Sequence, residues 1–454
     1  MAPAPAVAIA LFTRNLRVHD NPVLVAASRH EHVVPLFVLD DGCRPFVSAN
    51  RAAFLVDSLE DLSSALRARG GALVVRRGKV VHEVCALARQ TGATQVHVAA
   101  DVSRYAQRRE HALAAALRAE GCELVVHEGV VTVVPPGAVT PQTKDHYAVF
   151  TPYFRRWLQQ PRRPLLDPPR RFTLPRLHAG AIPRAADLCQ GATSDRLMRG
   201  GERAGRARLT SWSRKVDAYS ERRDALSGDG TSRLSAYLHF GCVSPVEVIH
   251  RIGHDSAGRR DFVRQLAWRD FHHQLLAARP ECSWADYRPR GDQWRDDHAA
   301  FEAWRAGRTG IPVIDAAMRQ LRTEGWLHNR ARLLVGSFLT KTLYIDWRWG
   351  ARHFLDWLVD ADIANNQLNW QWVAGTGADT RPNRVLNPVV QALRHDPDGR
   401  FVRRHLSELA GIAGPAVHQP WKLPPDVRRS LDYPDPIVDI DTAGRGFRAG
   451  RAGR

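Results

Sequence analysis

Five short apolar runs punctuate the first 130 or so residues and constrain the fold more than any other feature of the chain. They are VAIALF at 7–12, VVPLFVL at 33–39, ALVV at 72–75, QVHVAA at 95–100 and ELVVH at 123–127. Successive side chains of a strand point to opposite faces, so a run that is apolar throughout belongs to a strand covered on both. Between the runs, Asn50–Gly70, Val80–Gly92 and Tyr105–Gly121 carry apolar residues at helical spacing. Strand and helix in alternation predict an α/β domain over 1–134, a Rossmann-like parallel sheet with helices on both faces. Neither G-x-G-x-x-G nor a Walker loop accompanies it, so a dinucleotide or nucleoside-triphosphate site has no support in this domain.

The alternation stops at Pro135. Residues 135–208 are rich in Pro and Arg, as in PRRPLLDPPRRFTLPRLHAGAIPR, and predict an interdomain linker running over the surface. Helical periodicity then dominates through Val243–Ile252, Asp261–Ala278, His298–Arg305, Ile311–Glu324, Arg330–Leu343, Ala351–Val359 and Gln367–Val373. An all-α domain is therefore predicted over 209–443. The last residues, 444–454, GRGFRAGRAGR, predict a disordered basic tail.

A formal charge of +18 over 454 residues suits a polyanionic partner through phosphate neutralisation, although a generally basic proteome produces the same excess. Six scattered cysteines form no C-x-x-C pair and none follows Cys282, which speaks against a zinc site or a cysteine-held cluster near the C-terminus and suits a reducing compartment. The apolar start lacks a basic lead-in and reads as a strand, and no run reaches membrane-spanning length. A soluble, intracellular protein without a structural metal is expected.

Tryptophan is distributed unevenly. Of thirteen, none precedes Trp157 and eleven follow residue 260. Indole needs a partner for its N–H when buried, so this concentration asks for more than core filling. It peaks in Val359–Gly377, VDADIANNQLNWQWVAGTG, where two carboxylates, adjacent amides and two indoles flanking a glutamine crowd together. Buried polar groups must be paired. The stretch reads as the wall of a pocket for a flat, polar molecule, against the plainer alternative of a polar loop leading into a Trp-bearing helix.

Three further constellations follow. GTSRLSAYLHFG (Gly230–Gly241) places Thr231, Ser232 and Ser235 where a helix begins, an arrangement suited to a diphosphate; taken alone, an ordinary Ser/Thr cap is the simpler account. VRQLAWRDF puts Gln265, Trp268 and Arg269 on one helical face at i, i+3 and i+4, offering an amide, a stacking surface and a cation. GWLHNRARLL groups Asn329, Arg330 and Arg332 behind Trp326, so one helix is expected to carry two guanidinium groups into the same region.

These motifs, with FTRNLRVHDNP, GRTGIPVIDAAMRQLRTEGWLHNRARLLVGSFLTKTLYIDWRWG, DADIANNQLNWQWVAG and HDPDG, resemble the photolyase/cryptochrome family in order and spacing over essentially the whole chain. Bacterial cyclobutane pyrimidine dimer photolyases are the most similar branch. The resemblance implies an α/β antenna domain and a helical domain that holds FAD. By position, Tyr219, Thr231, Ser232, Leu234 and Ser235 would bind the phosphate and ribityl end. Asn329, Arg332, Asp360 and Asp362 would surround the isoalloxazine and adenine, with Asn366 at flavin N5. Trp370, Trp347 and Trp294 match the family's electron relay. Trp268 and Trp372 match the pair that grips the damaged bases, with Arg223 and Arg330 toward DNA. The implied reaction is light-driven: excited, reduced FAD gives an electron to a flipped cyclobutane dimer, the ring splits and the electron returns. A second chromophore, methenyltetrahydrofolate or 8-hydroxy-deazaflavin, would serve as antenna. A monomer acting on UV-damaged DNA in the cytoplasm, at the nucleoid, completes the expectation.

Two positions depart from the family's usual pattern. Gln265 stands where Glu is common, keeping hydrogen-bond geometry but unable to supply a proton. Leu333 stands where Met is common, keeping volume without the polarizable sulfur. Both imply weaker repair, and they leave room for a different lesion or for a cryptochrome-like blue-light photoreceptor without repair activity. Asn329 and Leu333 occupy positions where (6-4)-type members place histidines, which counts against that activity.

Overall fold

The computed structural model describes residues 6–452. Its one sheet has five parallel strands, β1 (Val7–Phe12), β2 (His32–Asp40), β3 (Val74–Gly78), β4 (Ala93–Ala99) and β5 (Glu123–His127), in the order β3-β2-β1-β4-β5. Every residue of β1 is buried, which is why its sequence shows no polar alternation. Ala49–Arg67, Val80–Thr91 and Arg104–Ala119 are the crossover helices, each within three residues of its predicted bounds. A short helix, Pro22–Ala27, joins β1 to β2; Asn21 caps it and proline occupies its first turn. All strands among the described residues precede residue 128, and every later regular element is a helix.

By contact, the chain divides into two compact units. One takes in residues through Ala192, Arg199–Asp217 and Ser232–Pro280; the other takes in Thr193–Met198, Ala218–Thr231 and the chain from Glu281 onward. The first therefore keeps the long helix Ala257–Ala278 with the sheet, away from the 208/209 boundary expected from composition. Within it, the loop after β1 is fastened by Arg17, whose buried guanidinium donates to the carbonyls of Asp20, Gly241 and Val130. Burial pulls that guanidinium down to about 10, so it stays charged at neutral pH. Glu202 accepts from the backbone N–H groups of Val18 and His19. FTRNLRVHDNP is thus a structural hinge-pin of this unit.

Residues 135–208 are more ordered than a linker. Phe150–Gln159 is a helix that buries Phe150, Tyr153 and Trp157, and Trp157 Nε1 donates to Asp270 Oδ2 at 2.9 Å. Aromatics at i, i+3 and i+7 are a helical stripe, but the surrounding Pro and Arg mask it. The connection also lends backbone to the sheet: Thr173 and Ala179 carbonyls accept from Val33 and Val75 N–H groups.

The expected disordered tail is a correction. Its described residues belong to a helix, Ile440–Ala452; 453–454 lie outside the described residues. Phe447 is fully buried, against Tyr344 on one side and the Lys341 ammonium on another. Arg451 makes a two-pronged bond to Asp292 at 2.8 and 2.6 Å and donates to the Ala374 carbonyl at 2.9 Å. Composition missed this because one phenylalanine and one arginine dock the helix, while small or basic residues fill the rest. Both charges of the Arg451–Asp292 pair are almost wholly buried. Arg451→Ala leaves Asp292 uncompensated and should cost about 3 kcal/mol, read as a lowered midpoint in urea unfolding; an unchanged midpoint would mean the helix is not docked in solution.

Candidate functional site

In the second unit the segment singled out by sequence becomes the helix Ile363–Ala374, and its polar groups divide into two kinds. Asp362 caps the helix, its Oδ1 accepting from Asn365 N at 2.9 Å, and Gly375 closes it with φ +82. Gln367 donates to the Ser283 carbonyl at 2.7 Å, and Gln371 donates to those of Cys282 and Ala285 while accepting from Tyr287 N. These two glutamines, one turn apart, lace the loop 282–287 to the helix. Part of the polarity that suggested a pocket is therefore ordinary pairing of loop backbone.

The remainder fits a flat, polar ligand. Arg332 Nη2 reaches both oxygens of the buried Asp360 carboxylate, at 3.0 and 2.8 Å. Asn366 is buried and uses its Nδ2 on the Ala351 carbonyl and Gln367 Oε1, leaving its oxygen as an acceptor for a ligand N–H. A guanidinium, a carboxylate and an amide oxygen are the donor and acceptor set that the C=O and N–H edge of an isoalloxazine requires, so the residues suit FAD. Asn329 begins the helix Asn329–Ser337 and is exposed. The expected convergence of Arg330 and Arg332 is a correction: Arg330 pairs with Asp224 at 2.7 Å, Arg332 with Asp360. Residues two apart on a helix point to different sides.

Trp370 and Trp347 lie in one buried core cluster, and Trp294 packs on it half-buried. Trp347 Nε1 donates to Asp286 Oδ1 at 2.8 Å; Trp294 sits 5.2 Å, ring to ring, from Tyr344. Trp370 Nε1 is buried without an acceptor. Its indole is admitted by Gly350: a Cβ there would come within 2.2 Å of Trp370 Cη2 and 2.6 Å of Leu339 Cδ2. Trp372, two residues on, turns to another side and stays half-buried.

Of the phosphate candidates, Tyr219 and Thr231 belong to the second unit and Ser232, Leu234 and Ser235 to the first. Tyr219 is buried beneath the Arg223 guanidinium, 5.9 Å from the ring centre. Ser232 Oγ accepts from Leu234 N at 3.2 Å, and its carbonyl accepts from Arg208. Ser235 starts the helix Ser235–Phe240 and is exposed.

In the first unit, Gln265 and Trp268 lie on the helix Ala257–Ala278, both half-buried. One face of Trp268 is stacked on Phe150, 3.7 Å between centres and 6° from parallel. Phe150 was not anticipated; a partner 118 positions away leaves no local trace. Asp270, two residues along, is buried and accepts from Val133 N, Val134 N and Trp157, anchoring the helix. Arg269, expected as a ligand-facing cation, instead donates to the Val131 and Leu238 carbonyls.

Two family descriptions match this chain: "DNA photolyase" over residues 8–171 and "FAD binding domain of DNA photolyase" over residues 262–450. The deoxyribodipyrimidine photo-lyase of Streptomyces griseus is 56% identical over 451 residues, covering 98% of this chain and 99% of that one. The chain belongs to the DNA photolyase family. A crystal structure of a class III photolyase from Agrobacterium tumefaciens superposes with a TM-score of 0.93 at 32% identity, covering 100% of this chain and 98% of that one. The Synechocystis cryptochrome structure gives 0.89 at 29%, covering 99% and 100%. The α/β sheet and helical FAD-binding domain expected for this photolyase family member are both present. Among the described residues, no helix is long and apolar enough to cross a membrane.

The Gly350 contact yields a direct test. Gly350→Ala forces Trp370 or Leu339 to move and should cost about 1–3 kcal/mol in stability, together with a changed Trp fluorescence spectrum; an unchanged spectrum and midpoint would show that the indole is not packed against this glycine.

Proposed function

We propose that this chain repairs DNA with light, splitting cyclobutane pyrimidine dimers. The observation that carries the reading is end-to-end similarity to a deoxyribodipyrimidine photo-lyase, combined with a donor set that suits FAD and two half-buried indoles, Trp268 and Trp372. When bound, reduced and excited by near-ultraviolet or blue light, FAD supplies one electron to the dimer and recovers it after the ring has split.

The side chains do the rest. Arg332, Asp360, Asp362 and Asn329 would hold the isoalloxazine and adenine, and the Asn366 oxygen would offer an acceptor at flavin N5. Tyr219, Thr231, Ser232, Leu234 and Ser235 take the phosphate and ribityl end. Trp370, Trp347 and Trp294 would relay electrons inward to keep the flavin reduced. Trp268, stiffened from behind by Phe150, and Trp372 stack on the dimer. Photolyases are themselves a standing example of base flipping, and a lesion that already weakens stacking lowers the extrusion cost. Arg223 and Arg330 take backbone phosphates, Arg330 by exchanging Asp224 for DNA. Gln265 and Leu333 border the lesion, and their departures from the usual Glu and Met lower the yield of each excitation.

The proposal extends to a monomer working on UV-damaged DNA at the nucleoid in the cytoplasm. A second chromophore, methenyltetrahydrofolate or a deazaflavin, would feed energy to FAD from the α/β part; absorption of the pigment released on denaturation identifies it. A photoreceptor without repair activity is the competing reading, favoured by the full-length match to the Synechocystis cryptochrome and by Gln265 and Leu333.

Reduced protein mixed with dimer-containing DNA should remove dimers under blue light and not in the dark. Dimers that survive illumination with FAD bound and reduced would overturn the repair reading and leave the photoreceptor. Trp268→Ala should weaken binding to dimer-containing DNA by about 1–3 kcal/mol, roughly 5- to 150-fold, without loss of flavin.

A further inference from the structure

Beyond the Ile363–Ala374 helix the chain folds back against it. Thr376 N and Gly377 N both donate to the Gln371 carbonyl at 3.0 Å, and a Cβ at Gly377 would come within 2.8 Å of Trp372 N. A Cβ at Gly375 would collide with the Pro382 carbonyl oxygen, so the far side of the loop returns to its own start. Residues 376–387 therefore form a closed loop seated against the backbone of Trp372. Its tip is the turn Arg381-Pro382-Asn383-Arg384, closed by Arg384 N on the Arg381 carbonyl at 3.1 Å, with proline at the second place. Arg381, Asn383 and Arg384 are exposed.

A buried cation holds this loop shut. Lys341, 2% exposed, donates from Nζ to the Pro382 and Arg384 carbonyls, both at 2.8 Å. The Phe447 ring lies 5.4 Å from the ammonium, and Arg451 Nη1 adds a second donor to the Pro382 carbonyl at 3.3 Å. We propose that Lys341 is a positioning residue for lesion binding, its ammonium latching the loop 376–387 and thereby holding the turn that carries Trp372. The proposal rests on the reading of Trp372 as an indole that stacks on the dimer.

Three features favour a latch over core filling. An ammonium out of water is costly unless its donors are used, and methionine would fill the same space without that cost. Among the described residues Lys341 forms no ion pair; its charge is directed at two backbone carbonyls of one turn. Lys341 also sits in a single π-helical turn, Phe338–Thr342, an irregularity of a kind that recurs at functional sites. Burial pulls the Lys341 ammonium down to about 8; Asp379 and Asp292 hold it up, while Arg451 and Arg384 push it further down. These are the charged groups that face Nζ from the loop, from the Ile440–Ala452 helix and from residue 292. The ammonium is the form that makes charge-assisted bonds, so the latch is full below about pH 8 and weakens as pH rises through it.

The test uses holoprotein with FAD bound, the parent beside Lys341→Met and Lys341→Gln, each first checked for flavin content and unfolding midpoint. Methionine removes the donor, whereas glutamine keeps a donor that does not titrate. Opening of the loop is read by mass spectrometry as the rate of trypsin cleavage at Arg384–Val385, a bond that the closed loop shields. Grip on the lesion is read in the dark as the Kd for dimer-containing duplex at fixed ionic strength, at pH 7 and at pH 9. The parent's Kd should rise about tenfold between the two. Lys341→Met should be cleaved faster and bind about tenfold more weakly at pH 7, with no further change at pH 9. Lys341→Gln should fall between the two proteins at pH 7 and show no pH dependence. Equal Kd for parent and Lys341→Met at pH 7, or a parallel rise in both toward pH 9, would overturn the positioning role. Faster cleavage with unaltered Kd would leave a purely structural latch and overturn it equally. A parent without preference for dimer-containing over undamaged duplex at either pH would overturn the repair reading, and this proposal with it.

Discussion

The two-pronged contact between Arg332 and the buried carboxylate of Asp360 is the interaction on which the rest of the site depends. A carboxylate taken out of water needs a partner held in good geometry, and Arg332 supplies it at 3.0 and 2.8 Å from the neighbouring helix. That pairing fixes the chain at the point where it turns into the Ile363–Ala374 helix. The Asp360 carbonyl accepts from Asp362 N at 2.7 Å, and Asp362 then caps the helix. One ion pair thereby sets where Asn366, Trp370 and Trp372 begin.

From that start the helical period assigns duties. Asn366 and Trp370, four apart, are both buried, whereas Trp372 is half-buried to another side. Gln367 and Gln371, also four apart, tie the helix to the loop 282–287. A residue without a side chain matters as much as those with one: Gly350 brings the Trp347–Trp357 helix close enough to seal the Trp370 ring into the core. The indole that would give its electron first is thus kept dry and without a base, which favours refilling from the next ring over loss of a proton.

Much of this was legible from sequence, for identifiable reasons. The five strands declared themselves because buried parallel strands are apolar on both faces, and the crossover helices because their stripes are long. The segment Val359–Gly377 declared itself by chemistry too polar for a core. What stayed hidden depends on partners far away in the chain. Phe150 behind Trp268, Asp224 on Arg330, and the Val131 and Leu238 carbonyls on Arg269 carry no local signal. The C-terminal helix was hidden differently: its docking rests on Phe447 and Arg451 within an otherwise small and basic sequence. Arg330 and Arg332 differ in partner for a local reason: a spacing of two on a helix already turns them apart.

The central claim is that a carboxylate and guanidinium pair organises a flavin site, and equilibrium FAD binding tests it most directly. Asp360→Asn keeps shape and removes the charge that orients Arg332, and apoprotein of this variant, titrated with FAD beside the parent, reports the consequence. The account predicts a loss of about 2 kcal/mol, roughly 30-fold in Kd, with the helical circular dichroism unchanged. Equal affinity in the two proteins would contradict it.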